Sequence, residues 1–262
     1  MEHNTQLDYT QSSKVIHVEQ LNNPVFINRN PDDKTPSYGG HGTLEILEVT
    51  QLLDGASICC CLDWEVCVPT EKLREASALM ESIGTYEVYP SRPPDLWSLF
   101  HTFPRFKLVG KALAFTLIPS EDAHIDCVPS NIERSRMGLP YPTLEIFAQS
   151  LLDTNNMVAL TDLIDGMNLT EQWGSEHLKL DGKNDSAWIQ QKNERIRASV
   201  PLTPDSCLYE LGISPINLRD TWNTTVQTKE RRTGAELGVE YWATRFRYRG
   251  SEDPRTTERH HA

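Results

Sequence analysis

The chain has 262 residues, of which 38% are hydrophobic, and this is enough for one large folded core. Its 37 acidic and 25 basic residues give a net charge of −12, which opposes broad contact with nucleic-acid phosphates and argues against DNA as a partner. There is no run of about 18 apolar residues and no signal-peptide pattern at the amino terminus, so we expect a cytoplasmic protein without a membrane span.

Helices and strands alternate in the first part of the predicted fold. Residues 1–42 are polar and interrupted by proline and glycine, so we expect a flexible arm before a single α/β domain of catalytic type over 43–250. Apolar spacing then predicts a helix over 44–53, a strand over 57–68, and a helix over 70–83 that begins at a capping threonine.

Two more strands are predicted before the middle of the chain. One is short, over 85–89, and the other covers 106–118 and carries apolar residues on both faces. A strand with two apolar faces belongs in a sheet that is covered on both sides. Between these strands, the segment 93–97 (PPDLW) is typical of a turn that opens a short helix.

The second half is predicted to be mainly helical. Apolar spacing indicates helices over 143–152, 157–167 and 187–199, and a polar helix near 218–233. We expect these helices to flank a small mixed sheet, which makes the fold α/β (α+β). Residues 251–262 are expected to form a frayed tail.

The six cysteines raise the question of disulfides or zinc. Cys59, Cys60, Cys61 and Cys67 fall in one strand-like apolar run, and the other two are distant in the sequence. The first three are too crowded for the paired spacing of a zinc site. We therefore expect reduced core thiols.

The strongest local feature is the segment 62–66 (LDWEV). Because alternate side chains of a strand share a face, Asp63 and Glu65 would project together while the apolar residues around them pack on the other side. Two like charges this close repel unless a divalent metal, an ammonium group or an arginine side chain joins them. Two solvated acids at a strand end are the ordinary alternative.

A second acidic segment, 120–127 (SEDAHIDC), follows the long predicted strand. There His124 and Asp126 would alternate onto one face. If this strand lies beside the first, Asp126 would complete a three-carboxylate site with Asp63 and Glu65.

This order of helix, strand, paired acids and a third acid on a later strand resembles the nucleotidyltransferase fold. Members of that fold carry a Gly-Gly or Gly-Ser turn, a short helix, and then Asp-x-Asp or Asp-x-Glu, whose acids bind magnesium. The resemblance implies a Mg²⁺ site at Asp63, Glu65 and Asp126. Here the segment 55–57 (GAS) stands only a few residues before Asp63, without the connecting helix.

Five longer segments are similar to a group of fungal proteins with this core. They are 101–108 (HTFPRFKL), 132–142 (IERSRMGLPYP), 147–154 (FAQSLLDT), 159–174 (ALTDLIDGMNLTEQWG) and 192–199 (KNERIRAS). The resemblance covers 44–254, and we associate the group with the fungal arginine-containing cyclodipeptide synthases. Those transferases of secondary metabolism join arginine to a second amino acid, taking both from aminoacyl-tRNAs. Those enzymes carry an acidic motif of the DDxxE type, and in this sequence only Asp63-Trp64-Glu65 approximates it.

This second resemblance implies roles for individual residues and needs no cofactor. Asp63 and Glu65 would bind the guanidinium group of arginine through parallel charge-assisted hydrogen bonds. Asp126 or His124 would take the proton from the attacking amine, because an aminoacyl ester is already activated and needs mainly positioning and proton transfer.

Basic residues would have to supply the surface for tRNA. The candidates are Arg105, Lys107, Arg134, Arg136, Arg245 and Arg247. In the segment 245–249 (RFRYR), basic and aromatic residues alternate as single-stranded nucleic acid prefers, although an edge strand with charged outer residues has the same pattern. His101 could also reach the site, although a lone histidine near aromatic residues is more often packed.

A cyclodipeptide synthase is thus the first expectation from the sequence. A magnesium-dependent nucleotidyltransferase that acts on a small molecule or an RNA end is the second. The third is a protein of the same fold that has lost the Gly-Ser turn and binds a partner.

Overall fold

The computed structural model describes residues 25–28, 63–111, 114–134, 140–201 and 211–232. Five strands form its central sheet: β1 (Val25–Asn28), β2 (Asp63–Val68), β3 (Tyr86–Val88), β4 (Arg105–Leu108) and β5 (Ala114–Pro119). They lie in the order β1-β2-β5-β4-β3, with β2 parallel to β5 and the other neighbours antiparallel. The predicted class, a mixed α/β fold with a small mixed sheet, is confirmed.

Seven helices belong to the described residues. They are α1 (Leu73–Ser82), α2 (Ser120–Ala123), α3 (Leu144–Asp153), α4 (Met157–Gly166), α5 (Glu171–His177), α6 (Ser186–Ser199) and α7 (Leu218–Gln227). None of these seven is long and apolar enough to cross a membrane. A small separate sheet pairs β6 (Ile132–Arg134) with β7 (Pro140–Pro142). The second half is mainly helical, as predicted, whereas α5 and the β6–β7 pair were not predicted.

Side-chain caps define where the helices of the second half begin. An oxygen of each capping side chain accepts a hydrogen bond from a backbone N–H in the first turn. The caps are Thr143, Asn156, Thr170, Asp185 and Asn217. The apolar faces of α3, α4 and α7 then form one core cluster, in which Trp222 is fully buried.

The single strand predicted over 106–118 is two strands. β4 ends at Leu108, the chain turns through Gly110 with a left-handed φ of 73°, and β5 begins at Ala114. The prediction of one strand was wrong because apolar residues continue through the turn and hide it. The prediction that the sheet is covered on both sides is confirmed, since core clusters lie on each face.

The two faces of the sheet differ in character. On the first, called the α1 face, apolar side chains pack against α1; they are Val66, Val68, Phe106 and Leu117. The second, called the Glu65 face, carries the alternate residues Glu65, Cys67, Thr116, Ile118 and Arg105. Near the carboxyl ends of β2 and β5 this face is apolar, because Cys67 and Ile118 pack against Ile125 and Ile196. Its other end is polar.

The carboxyl ends of the two parallel strands are tied together. Ser120 Oγ accepts the backbone N–H of Thr70 at 3.1 Å, and Thr70 Oγ1 accepts the backbone N–H of Glu121 at 3.0 Å. Thr70 was predicted to cap the helix after β2, but α1 has no side-chain cap. Instead, the Thr70 hydroxyl accepts a hydrogen bond from the chain that follows β5. This bond holds β2 and β5 side by side.

Some predictions concern residues at the edge of the described part or beyond it. The helix over 44–53, the first residues of the strand over 57–68 and the tail over 251–262 lie outside the described residues. Within the predicted flexible arm, Val25–Asn28 form β1 and pair with β2. Their apolar run suits a strand, and the polar composition of the arm as a whole concealed it.

Gly174 of α5 lies against the indole of Trp222, where an added Cβ would collide with the ring. Replacing a helical glycine with alanine ordinarily stabilises a protein by up to about 1 kcal/mol, but overpacking a buried ring costs about 1–3 kcal/mol. We expect the collision to dominate, so that Gly174→Ala lowers the free energy of unfolding measured in urea. Ser175→Ala, an exposed change on the same helix, should stay within about 0.5 kcal/mol of the parent. A Gly174→Ala protein as stable as the parent would contradict this packing of α5 against α7.

Candidate functional site

A row of polar side chains crosses the three central strands on the Glu65 face. Glu65 of β2 is paired with Thr116 of β5, and Thr116 is paired with Arg105 of β4. Side chains in direct register on neighbouring strands share a face, with their Cβ atoms about 5 Å apart. Thr116 is 1% exposed, and Glu65 and Arg105 are half-buried. A carboxylate, a hydroxyl and a guanidinium group therefore stand in line in a partly desolvated place.

Arg105 is held in position by the chain that follows β3. Its Nη1 donates to the carbonyl oxygen of Pro90 at 3.0 Å, and its Cζ lies 4.3 Å from the centre of the Tyr89 ring. The backbone N–H of Tyr89 donates to the carbonyl oxygen of Arg105 at 2.8 Å. These contacts orient the guanidinium group at the end of the row.

The next row of paired residues begins at Asp63. Asp63 is paired with Ala114, Ala114 with Lys107, and Lys107 with Glu87. Lys107 Nζ lies 3.8 Å from Glu87 Oε1, and the side chain of Asp63 lies outside the described part. The register of the sheet thus assigns Glu65, Arg105 and Lys107 to one face. Strand alternation in the sequence predicted a shared face only for the two acids, Asp63 and Glu65.

His124 and Asp126 do not continue a strand. β5 ends at Pro119, α2 follows, and His124 then adopts a left-handed conformation with φ of 54°. The prediction that the two side chains alternate along a strand is wrong, because the helix turns the chain before them. Asp126 is exposed beyond the carboxyl end of β5, whereas Asp63 begins β2 at the opposite end of the parallel pair.

The three-carboxylate site predicted for Mg²⁺ concerns Asp63, Glu65 and Asp126. Along the chain, Asp126 follows the end of β5 and α2, so it does not belong to the strand rows that contain Glu65. Among the side chains that the structure describes, no group of three or more His, Cys, Asp or Glu residues is arranged to hold a metal ion. The Asp63 side chain is not one of them.

His124 is instead paired with the helical half. Its Nδ1 lies 3.2 Å from Asp153 Oδ2, and its ring meets the Trp188 ring edge-on at a centroid distance of 5.0 Å. Gln149 Nε2 donates to Asp153 Oδ1 at 2.9 Å. A carboxylate that orients an imidazole in this way is used for proton transfer in many enzymes, and here it also joins α3 to the end of α2.

A buried ion-pair network lies beside His124 and was not predicted from the sequence. The Asp122 side chain is 2% exposed and accepts a hydrogen bond from Arg195 Nη2 at 2.9 Å. Lys192 Nζ lies 3.9 Å from Asp122 Oδ1 and 4.7 Å from the centre of the Trp188 ring. Burial lowers the pKa of Lys192, and the Asp122 carboxylate opposes that effect. The spacing of residues 188, 192 and 195 on one face of α6 is the sequence signal that could have indicated it.

An open depression of about 570 Å³ lies at the start of α6. Its lining is Asp185, Ala187, Trp188, Gln190, Gln191 and Glu194. Of these residues, Trp188 also contacts a predicted site residue, His124.

The remaining predicted residues are dispersed. Arg134 is exposed at the end of β6, and Arg136, Arg245 and Arg247 lie outside the described residues. The ring nitrogens of His101 are buried, and neither has a hydrogen-bond partner within the described part. The turn that carries His101 (100–102) is flanked by Leu99 and Phe103, which belong to the core of the Glu65 face. His101 therefore lies on the same side of the sheet as Glu65.

Comparison of the chain with family models, with curated proteins and with solved structures gave no match. The function has to be inferred from the residues themselves and from the geometry of the Glu65 face.

Two aspartates four positions apart, Asp122 and Asp126, should differ sharply in their effect on stability. Asp122→Asn breaks a buried ion pair and leaves Lys192 without its anion, so we expect the free energy of unfolding to fall by about 2–4 kcal/mol. Asp126→Asn changes an exposed side chain and should shift it by less than about 0.5 kcal/mol. Urea unfolding of the two variants checks this, and equal stabilities would contradict the buried network.

Proposed function

We propose that this chain is a tRNA-dependent cyclodipeptide synthase that joins arginine to a second amino acid from their aminoacyl-tRNAs. The five segments that resemble the fungal arginine-containing cyclodipeptide synthases support this reaction. The structural observation that carries it is the row of Glu65, Thr116 and Arg105 on a partly desolvated sheet face.

This reaction needs positioning and charge more than difficult chemistry. An aminoacyl-tRNA carries an activated ester, so the enzyme must hold two esters together, take a proton from the attacking amine and stabilise an oxyanion. A half-buried carboxylate binds a guanidinium group more strongly than an exposed one, because water competes less for both partners. Glu65 has this environment, and Asp63 stands two residues earlier on the same strand. We assign the binding of the substrate's arginine to this pair.

Arg105 and Lys107 supply positive charge next to the acid pair. Both lie against Tyr89, with the guanidinium and ammonium groups 4.3 and 5.5 Å from the ring centre. Cations that a protein holds in place bind phosphate oxygens without a large loss of side-chain freedom. We assign to them the contact with the acceptor end of the tRNA. Further candidates for this contact are Arg134, Arg136, Arg245 and Arg247.

The proton from the attacking amine is assigned to His124 in preference to Asp126. Asp153 orients the His124 ring through Nδ1, which leaves Nε2 as the nitrogen that would take the proton. Asp126 is exposed and has no comparable orienting contact within the described residues.

A magnesium-dependent nucleotidyltransferase is the second candidate, and with it a sheet of nucleotidyltransferase type. The support is the position of the acid pair on β2, a strand inside the sheet whose neighbour β5 runs parallel to it. In that reaction Asp63, Glu65 and Asp126 would hold Mg²⁺, which would polarise a phosphoryl group.

One experiment distinguishes the two reactions. The protein is expressed in bacteria, which supply charged tRNAs, and the medium is examined by mass spectrometry for arginine-containing cyclic dipeptides. We expect product from the parent and about 10-fold to 100-fold less from Glu65→Gln, because an amide loses a charge-assisted hydrogen bond worth about 1.5–3 kcal/mol. Glu81→Gln is the matched control: it changes an exposed acid of α1, on the opposite face of the sheet, and should leave the yield unchanged. Circular dichroism confirms that each variant is folded.

Other results would change the assignment. A folded parent that makes no cyclic dipeptide but consumes nucleoside triphosphate with Mg²⁺ would establish the second candidate. Neither activity would favour the partner-binding protein. Equal losses of product in Glu65→Gln and Glu81→Gln would contradict the role given to Glu65.

A further inference from the structure

Two thiols face each other near the carboxyl end of β2. Cys67 Sγ lies 3.6 Å from Cys127 Sγ, and the two residues are 60 positions apart in the sequence. Cys67 is fully buried, Cys127 is half-buried, and both are free. The fold, and not the local chain, therefore creates this contact.

The segment that carries Cys127 is anchored beside the strand that carries Cys67. The backbone N–H of Ile125 donates to the carbonyl oxygen of Ser120 at 3.1 Å, and Ile125 packs in the same core cluster as Cys67. The carbonyl oxygen of Asp126 accepts two more hydrogen bonds, from a backbone N–H at 2.8 Å and from an asparagine side chain at 3.1 Å. Both sulfur atoms are thus held by backbone that is fixed on either side.

We propose that Cys67 and Cys127 are a reversible redox pair, which closes to a disulfide when the protein meets a peroxide. The sulfur atoms must approach by about 1.5 Å to reach the bond length of about 2.05 Å. Side-chain rotation and small backbone shifts can supply a movement of this size. No other residue has to leave its place between the two sulfurs, because they are already in contact.

The oxidation proceeds in two steps. The Cys127 thiolate attacks one oxygen of hydrogen peroxide, so that an S–O bond forms, the O–O bond breaks and hydroxide leaves. The Cys67 thiolate then attacks the sulfur of this sulfenic acid, so that the S–S bond forms, the S–O bond breaks and a second hydroxide leaves. The protons of the two thiols convert the two hydroxides to water. The two sulfurs together lose two electrons, and the peroxide gains them.

Cys127 is the thiol that reacts first. It is the more exposed of the two, and the hydrogen bond from Cys67 lowers its pKa, although burial and the carboxylates of Asp126 and Glu71 act against this. The same hydrogen bond, together with burial, raises the pKa of Cys67. Since the thiolate is the form that attacks peroxide, the more exposed thiol, Cys127, is also the more reactive one.

The new bond would connect β2, two residues beyond Glu65, to the segment that bears His124 and Asp126. In a reducing compartment such disulfides are transient. The pair would therefore act as a sensor of oxidant and not as a permanent structural disulfide. The redox pairing stands whether or not the chain makes cyclic dipeptides, because it depends only on the position of the two sulfurs.

The test uses the full chain, reduced, freed of reductant and treated with a small molar excess of hydrogen peroxide, after which the remaining thiols are alkylated. Digestion with trypsin and a glutamate-specific protease cuts after Glu65 and so separates Cys67 from Cys59, Cys60 and Cys61. We expect a cross-linked peptide that joins Cys67 to Cys127, lighter by two hydrogen atoms than the two thiol peptides, and its loss on treatment with dithiothreitol.

Two variants complete the experiment. Cys127→Ser removes the more exposed thiol of the pair and should abolish the cross-linked peptide, whereas Cys207→Ser, the matched control, should retain it. The oxidised parent gives the deciding result even if a variant folds poorly. Absence of the Cys67–Cys127 peptide from the parent, or comparable amounts of Cys127 joined to other cysteines, would overturn the proposal.

Discussion

The parallel pairing of β2 with β5 is the constraint on which the candidate site depends. It sets Glu65 beside Thr116, and the antiparallel pairing of β4 then adds Arg105 to the same row. Because side chains alternate along a strand, a slip of one residue would turn Glu65 into the apolar core and bring Val66 to the polar side. Apolar clusters on both faces of the sheet make that slip expensive, so the register, and with it the site, is protected by burial.

The same pairing also organises the carboxyl ends of the two strands. There Thr70 donates a backbone hydrogen bond to Ser120 and accepts one from Glu121, and the chain after β5 folds back through α2 onto the Glu65 face. This face is therefore polar towards one end, around Glu65, and apolar towards the other, around Cys67. The buried Asp122 and its cations lie past the apolar end and fasten α6 to α2. The charged side chains thus lie at either end of the apolar part of this face, where water or an opposite charge can stabilise them.

The five longer helices, α1, α3, α4, α6 and α7, could be predicted from the sequence because their signals are local: apolar spacing and, in four of them, a capping side chain lie within a few residues of each other. The hairpin over 105–119 could not, because apolar residues run through its turn and Gly110 alone marks the change of direction. His124 was placed in a strand by its alternation with neighbouring residues, but alternation does not show a short helix before it. For the site, the period of a strand puts Asp63 and Glu65 on one face. The position of Arg105 in the same row as Glu65 depends on the register between β2 and β5, which are far apart in the chain. No local pattern in a single sequence encodes such a register.

Arg232 has a consequence for how this chain can be shortened. Its guanidinium group grips both oxygens of Asp165 in α4 and also contacts the hydroxyl of Thr228 and the carbonyl oxygen of Thr225. Asp165 is buried, so removal of Arg232 would leave a carboxylate inside the helical core without its cation. A truncated protein made to study the basic segment 245–249 separately should therefore be cut after Arg232. A cut any earlier would also remove the ion pair between Arg232 and Asp165, and the loss of stability would be confused with the effect of removing the basic segment.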